Sequence, residues 1–362
     1  MQESEEQQLF FMRWAIQLGE KGRCTAPPNP WVGCVIVKDG QMLGEGSHES
    51  AGKPHAEVIA LEKAGVLARG ATAFVSLEPC AHQGRTPPCV EALIAAGVRQ
   101  VVVALLDPDP RVSGKGVEAL RAAGIKVTVG IGKEDAAHSL RPYLHQRSTQ
   151  RAYCVLKSAM SIDGRTAAAD GSSQWIIEKE TRADVHLLRA QSQAIIVGSQ
   201  TALQDKPRLD VRGVKVLQQP IRVLVDSKGV VPPDGPLADL SIAPTWVFTS
   251  SLEHKQKWED CGAQVFQSPY WKLKEILEKL GDQGVIQALV EGGSGLHSAF
   301  LMANLVDQVV LYMGNCLLGE QGKPLLAGLG ILTIDQAPRW MLQDVRRFHN
   351  DIRLDFSPHI GL

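Results

Sequence analysis

Ala73-Phe74-Val75-Ser76-Leu77-Glu78-Pro79-Cys80-Ala81-His82-Gln83-Gly84-Arg85-Thr86-Pro87-Pro88-Cys89 passes from an apolar, β-rich run through a polar loop into a stretch, 87–97, with helical spacing. The same alternation extends outward on both sides. Runs 31–37, 101–105 and 127–129 read as further strands, and 55–68 and 114–124 as helices; the Ala-Ala-Gly that closes 87–97 and 114–124 is a helix stop. Strands alternating with helices predict an α/β layered fold. Beyond 151 the pattern starts again. Runs 154–157, 194–197, 221–225, 246–249, 288–290 and 309–312 read as strands, with helices expected at 180–191 and 271–280. The polar, basic segment 138–151, which contains Pro142, reads as a helix end leading into a linker. A boundary near 147 follows, giving domains 1–147 and 148–362.

The 362 residues suffice for two domains, each with its own core, and 44% hydrophobic with 21% charged residues is ordinary globular composition. A formal net charge of −1 gives no bulk electrostatic reason to expect nucleic acid or an anionic membrane as a partner. No apolar run reaches the roughly 18 residues a membrane helix needs. The acidic start, Gln2 to Glu6, is unlike the basic start of a secretion signal. Seven scattered cysteines fit reduced thiols in a cytoplasmic setting better than a disulfide framework. Cys24, Cys34, Cys154, Cys261 and Cys316 stand among apolar or small neighbours and read as core residues.

The two remaining cysteines belong to a different pattern. Pro54-His55-Ala56-Glu57 precedes Glu78-Pro79-Cys80, and Cys89 follows Pro87-Pro88. Zinc favours imidazole and thiolate, and a catalytic site holds it with three protein ligands while the fourth position serves water. His55, Cys80 and Cys89 supply three such ligands. Glu57, at a helix start two residues after His55, is placed to shuttle protons between water and a leaving amine. Zinc nucleobase deaminases carry His-x-Glu followed by Pro-Cys-x-x-Cys, with the Glu outside the ligand set. Here eight residues, 81–88, separate the cysteines. A capping histidine beside a buried cysteine pair is the plainer reading, but the order of all four groups on a strand–helix background favours the metal site. The inserted loop carries His82, Arg85 and Thr86, which either meet a phosphorylated substrate or simply face solvent. Asn29, in Asn29-Pro30-Trp31-Val32-Gly33, either reads a ring edge or makes a turn.

In the second half, Lys157-Ser-Ala-Met-Ser-Ile-Asp-Gly-Arg165 leads through a small-residue loop to Ser173-Gln174-Trp175. Such a loop with a cation can approach a phosphorylated ligand. Trp175 can flank a flat ring, although a Trp is more often core. Glu291-Gly292-Gly293-Ser294-Gly295 leaves a strand and enters a helix ending near 303, where backbone amides can face a pyrophosphate. It is not a Gly-x-Gly-x-x-Gly fingerprint, so a Rossmann domain is not expected.

Taken together, Asn29–Gly33, Gly46–Glu57, Glu78–Cys89 and Asp107–Gly116 resemble the bifunctional deaminase/reductase family of riboflavin biosynthesis, whose cysteine gap is also eight residues. The resemblance covers nearly the whole chain. It implies an α/β protein with a cytidine-deaminase-like three-layer domain followed by a dihydrofolate-reductase-like α/β domain. It implies zinc-dependent hydrolysis of 2,5-diamino-6-ribosylamino-4(3H)-pyrimidinone 5′-phosphate, then NADPH reduction of the ribosyl chain to ribityl. By this resemblance Glu57 is catalytic, His55, Cys80 and Cys89 hold Zn2+, and Asn29, His82 and Arg85 meet the deaminase substrate. Ala159, Trp175, Thr201, Asp205, Ser227 and the loop Gly293, Ser294, Gly295, Leu296, His297, Ser298, Ala299 match positions that contact NADPH. Ser173, Arg189, Leu209, Arg212 and Glu291 match positions that contact the reductase substrate. The family pattern Asp-Asp-Pro-x-Leu-Thr-Val-Arg reads Asp205-Lys-Pro-Arg-Leu-Asp-Val-Arg212 here, and the added Lys206 and Asp210 either pair with each other or alter affinity.

The expected partner is therefore a small pyrimidine ribose phosphate, with neither nucleic acid nor membrane involved and a homo-oligomer left open. The alternative is a nucleotide or tRNA deaminase with an unrelated C-terminal module. That enzyme calls for a basic face and aromatic platforms, which 5% aromatics and a near-zero charge support poorly. A structural zinc module joined to a nucleotide sensor would call for four protein ligands, and only three are evident.

Overall fold

A computed structural model describes residues 4–84 and 87–359, so Arg85 and Thr86 lie outside the described residues. The chain forms two compact units, residues 1–150 and 151–362. Segment 138–151 is not a linker. Its residues from Arg141 to Thr149 are helical, and Pro142 sits in the first turn, where its missing N–H costs nothing.

The first unit comprises α1 (Glu5–Glu20), β1 (Gly33–Lys38), β2 (Gln41–Ser47), α2 (Ala56–Ala64), β3 (Thr72–Val75), α3 (Cys89–Ala96), β4 (Gln100–Val103), α4 (Lys115–Ala122), β5 (Lys126–Val129), α5 (Lys133–Ser139) and α6 (Arg141–Thr149). Its sheet has the order β2-β1-β3-β4-β5. Strand β1 is antiparallel to both β2 and β3, while β3, β4 and β5 are mutually parallel. Side chains alternate across the sheet. Cys34 and Ile36 face α2, α3 and α4 with Ala60, Leu93 and Leu120, whereas Phe74 meets Phe11 of α1 at 5.5 Å between ring centroids. This is the expected three-layer arrangement.

α1 begins at a capping box in which Ser4 and Gln7 satisfy each other's backbone amides. Strand β2 has little β propensity. It forms because Gly44 and Gly46 let α2 lie directly on the sheet: a Cβ at either position would stand 2.2 Å from the carbonyl oxygen of Ala60 or Ala56.

The second unit comprises β6 (Tyr153–Met160), β7 (Arg165–Ala167), α7 (Lys179–Ala190), β8 (Ala194–Gly198), α8 (Ser199–Asp205), β9 (Ile221–Val225), β10 (Thr245–Thr249), α9 (Leu252–Asp260), β11 (Gln264–Gln267), α10 (Leu273–Asp282), β12 (Gln287–Val290), α11 (Ser294–Met302), β13 (Gln308–Met313), β14 (Lys323–Pro324), β15 (Trp340–Phe348) and β16 (Asp351–Pro358). Nine strands form one sheet in the order β11-β10-β9-β8-β12-β6-β13-β16-β15. Every pairing from β11 to β13 is parallel, and the β15–β16 hairpin adds antiparallel to β13. Parallel strands must be covered on both faces. One face packs Val155, Val197 and Leu289 against Val185, Leu188 and Trp258; the other packs Leu156, Ile196 and Phe248 against Ile276, Leu280 and Phe300.

All seven cysteines are free thiols. The core reading holds for Cys34 and Cys154 only, since Cys24 and Cys316 are half-buried and Cys261 is exposed. Cys261 caps the C-terminus of α9, which brings it to the surface despite the small Gly262 and Ala263 that follow it. Among the described residues no helix is long and apolar enough to cross a membrane.

Candidate active site

Because β2 and β3 both run antiparallel to β1, strands β2, β3 and β4 point the same way. Their carboxyl ends therefore share one edge of the sheet, and the start of β1 lies at that edge too. His48 follows β2, Glu78 and Cys80 follow β3, Asp107 follows β4, and Asn29 precedes β1. Open α/β sheets place ligands at this edge. A cleft of about 540 Å³ opens there, lined by Asn29, His48, His55, Glu57, Cys80 and Asp107 among others.

At its floor, His55 Nδ1 lies 2.8 Å from Cys89 Sγ and 3.6 Å from Cys80 Sγ, and the two sulfurs are 3.5 Å apart. Zinc–sulfur bonds of about 2.3 Å and zinc–nitrogen bonds of about 2.0 Å at tetrahedral angles put such ligand atoms roughly 3.5–3.8 Å apart. The sulfur–sulfur distance and one sulfur–nitrogen distance match that geometry, and the second sulfur–nitrogen distance is shorter. Hydrogen bonds from Cys89 and His55 draw the Cys80 thiol down to about 4. Cys89 is pushed up, first by its hydrogen bond with Cys80 and then by burial. Two sulfurs this close carry two negative charges only with a cation between them, which is what a divalent metal supplies.

His55 is the N-cap residue of α2 and Glu57 lies in its first turn, buried to 3% exposure. Burial raises the Glu57 carboxyl above its usual range. Its place in the cleft beside the three ligands suits it to pass protons to and from a water there. Asn29 Nδ2 contacts His48 Nε2 at 3.1 Å, and His48 Nδ1 donates to the Pro54 carbonyl at 3.2 Å. Asn29 Nδ2 can only donate, so His48 Nε2 accepts from it while Nδ1 donates to Pro54, and burial lowers His48 in the same direction. Asn29 is thus a built part of the cleft rather than a turn residue alone.

His48, Asp107, Asp109, Arg111, Tyr143 and Arg147 also line the cleft, and no local signal in the sequence singled them out. Asp107, buried and raised to about 6 by desolvation, accepts from Tyr143 Oη at 3.2 and 3.1 Å. Asp109 sits between Arg111, at 2.6 Å, and Arg147, at 3.7 Å. Asp107 and Asp109 lie in a stretch quoted only for its resemblance, and Arg147 and Tyr143 lie in the supposed linker. His82 lines the cleft as expected, next to the residues outside the description.

In the second unit, Ala159 near the end of β6, Ser227 just beyond β9 and Glu291 just beyond β12 lie along the carboxyl edge of parallel strands. Glu291 receives both Nε and Nη2 of Arg189 at 2.7 and 2.9 Å, with Lys157 Nζ at 3.5 Å. These two cations hold the buried carboxyl of Glu291 far below its usual range despite desolvation. Lys157, noted in the sequence only as a loop cation, is a member of this cluster. His297, also buried, is lowered to about 4 by desolvation and stays neutral. A Cβ on Gly293 would stand 3.5 Å from Thr201 Oγ1, so α8 and the Gly293–Ala299 segment face each other closely.

Trp175 is not core. It is 73% exposed, with the Arg182 guanidinium 4.4 Å over its ring. Lys206 and Asp210 do not pair with each other: Lys206 reaches Asp234 at 4.0 Å, whereas buried Asp210 takes Arg208 at 3.1 Å and Arg212 at 3.5 Å. Arg189 Nη1 also donates to the Asp210 carbonyl oxygen at 3.0 Å, which ties Arg189, Arg212 and Glu291 into one patch.

Comparison with known proteins decides the family. The family of cytidine and deoxycytidylate deaminase zinc-binding regions matches residues 5–105, and the RibD C-terminal domain matches residues 152–354. The riboflavin biosynthesis protein RibD of Chlamydia trachomatis is 52% identical over 332 residues, which cover 90% of this chain and 88% of the relative. The chain belongs to the RibD family. The Escherichia coli RibD is 41% identical over 363 residues, with 96% and 98% of the two chains covered. Among solved structures, Acinetobacter baumannii RibD (form 1) superposes with a TM-score of 0.91 at 41% identity, covering 98% of this chain and 100% of that one. A Thermotoga maritima diaminohydroxyphosphoribosylaminopyrimidine deaminase/5-amino-6-(5-phosphoribosylamino)uracil reductase superposes at 0.88, with 34% identity and coverage of 98% and 99%. The two sheets are accordingly those of a cytidine-deaminase-like domain and a RibD reductase domain. As a RibD, the protein is a bifunctional enzyme of riboflavin biosynthesis, with a zinc-binding type of deaminase domain and a reductase domain.

Proposed function

We propose that the first unit hydrolyses 2,5-diamino-6-ribosylamino-4(3H)-pyrimidinone 5′-phosphate, releasing ammonia, and that the second reduces the ribosyl chain of the product to ribityl with NADPH. The convergence of His55, Cys80 and Cys89 around one point, with buried Glu57 in the same cleft, carries the deaminase half. Those three residues would hold zinc. When bound, zinc makes water acidic enough to serve as a nucleophile near neutral pH. Glu57 takes one proton from the attacking water and gives it to the ring nitrogen, then takes the adduct's hydroxyl proton and gives it to the departing amine. The carbon–nitrogen bond breaks, a carbonyl replaces it, and one water is consumed per ammonia. Asn29, oriented by His48, faces the ring from the wall of the cleft. His82 and Arg85 are assigned to the ribose phosphate.

In the reductase, the cofactor supplies the hydride and the protein supplies orientation. Ala159, Trp175, Thr201, Asp205, Ser227 and the Gly293–Ala299 segment are assigned to NADPH. Ser173, Leu209, Arg212 and the Arg189–Glu291 pair are assigned to the sugar phosphate. The Arg189–Glu291 geometry supports this, because a bidentate pair keeps its shape when a ligand arrives. The cytoplasm, where thiols stay reduced, suits the free cysteines of such an enzyme.

The test supplies the pyrimidinone phosphate to zinc-loaded protein and follows ammonia and NADPH absorbance separately. Ammonia release without NADPH, and NADPH oxidation only after deamination, are expected. Zinc-loaded protein that releases no ammonia, or that prefers free cytidine or tRNA, overturns the reading.

A further inference from the structure

Glu78 stands two residues before Cys80, yet its side chain turns away from the sulfurs. Its Oε2 accepts the amides of Asp107 at 3.2 Å and Gly114 at 2.9 Å, and its Oε1 accepts those of Gly116 at 2.9 Å and Val117 at 3.2 Å. The side chain is buried at 5% exposure. α4 starts at Gly114, which offers no side chain to cap it, so Gly116 and Val117 are the second and third helical residues with orphan amides. Glu78 caps α4 from 36 or more residues away in sequence. The fit is close. A Cβ on Gly116 would lie 2.0 Å from the Pro79 carbonyl oxygen and 3.2 Å from Glu78 Oε1.

These four hydrogen bonds pin both ends of segment 107–114, and that segment carries Asp107, Asp109, Arg111 and Val112 into the cleft. One side chain thus joins the wall that faces the substrate to the strand end that carries Cys80. We propose that Glu78 is a positioning residue of the deaminase: it sets the Asp107–Val112 wall at a fixed distance from the candidate metal ligands. The inference rests on the deaminase reading of this cleft.

Glu78→Gln replaces one acceptor oxygen by an NH2 group that meets two backbone donors. Relative to the parent, the Michaelis constant for the pyrimidinone phosphate rises about tenfold or more, the loss expected when charge-assisted bonds to a buried segment are broken. The turnover number stays within about threefold, zinc content is unchanged, and NADPH oxidation with the deaminated intermediate is unchanged. A Michaelis constant within about twofold of the parent's in zinc-loaded protein overturns the inference. Loss of zinc with the activity also overturns it, because Glu78 would then serve Cys80 rather than the wall. If the variant does not fold, hydrogen exchange in the parent decides: the amides of 107, 114, 116 and 117 exchange as slowly as those of β3, and exchange at open-loop rates overturns it. A parent protein that releases no ammonia overturns the deaminase reading and this inference together, whereas the other outcomes bear on this one alone.

Discussion

Asp107 shows what burial does to a single group in the cleft. Desolvation raises its carboxyl from 3.8 to about 6, against the lowering effects of the Asp109 amide, Tyr143 and Arg147. The unfolded chain therefore gives up this proton before the folded one does. Stability falls as pH rises from 3.8 to about 6 and is level on either side. The difference is about 3 kcal/mol, to order of magnitude. Asp107→Asn, compared with the parent by urea denaturation of the first unit, is expected to gain relative stability between about pH 4 and pH 7. An offset that does not change with pH would show that Asp107 keeps its ordinary value. Glu57 is shifted by the same cause in the same direction. Asp109, which lines the same cleft, is instead lowered to about 2 by its hydrogen bond with Arg111, so the raised acids are those that burial leaves without a cation in contact.

At the scale of elements, α2 carries both His55 and Glu57, and its closeness to β2 decides where they stand. Gly46→Ala drives a Cβ to within 2.2 Å of the Ala56 carbonyl oxygen, a backbone contact that cannot swing aside. The helix must shift, at a cost of about 2 kcal/mol or more. Deaminase activity is expected to drop sharply while NADPH oxidation with the deaminated intermediate is retained. Unimpaired ammonia release would mean that α2 tolerates the shift. The same packing explains what the sequence did and did not disclose. His55, Glu57, Cys80 and Cys89 were legible because their chemistry is written in residue type and local order. Strand β2 was not, since Gln41–Ser47 is formed by a helix lying on it rather than by β-branched residues. α6 was mistaken for a linker because its tethers, Tyr143 to Asp107 and Arg147 to the Pro28 carbonyl oxygen, are long-range. Glu78 looked like part of a Pro-Cys motif, and nothing nearby in sequence marks the four amides it holds. The edge hairpin β15–β16 was not read because the apolar residues of β15, Trp340, Met341, Leu342, Val345 and Phe348, do not alternate with polar ones.

Across the whole molecule, the two units carry separate chemistry on separate sheets. Glu57→Gln should lower ammonia release by about 10²–10⁴-fold, the usual worth of a proton-transfer group, and leave reduction of the deaminated intermediate intact. Glu291→Gln should do the reverse, since it strips two buried cations of their partner. Mixed in equal amounts, the two variants are expected to restore NADPH oxidation that depends on the pyrimidinone phosphate. A mixture no better than either variant alone would show that the units do not act independently on free intermediate.

β6 lies inside the second sheet, between β12 and β13, with an almost continuously buried face. It is also the first strand of that unit to be synthesised. Both neighbours are encoded far downstream, at 287–290 and 308–313. At roughly 5–20 residues per second, the ribosome keeps β6 unpartnered for on the order of ten seconds after it is made. The first unit, whose strands all lie within 33–129, can meanwhile close. During translation Tyr153–Met160 is therefore the segment of the second unit that waits longest for its partners, and in a chain that stops short of 287 this buried strand has neither neighbour to pair with.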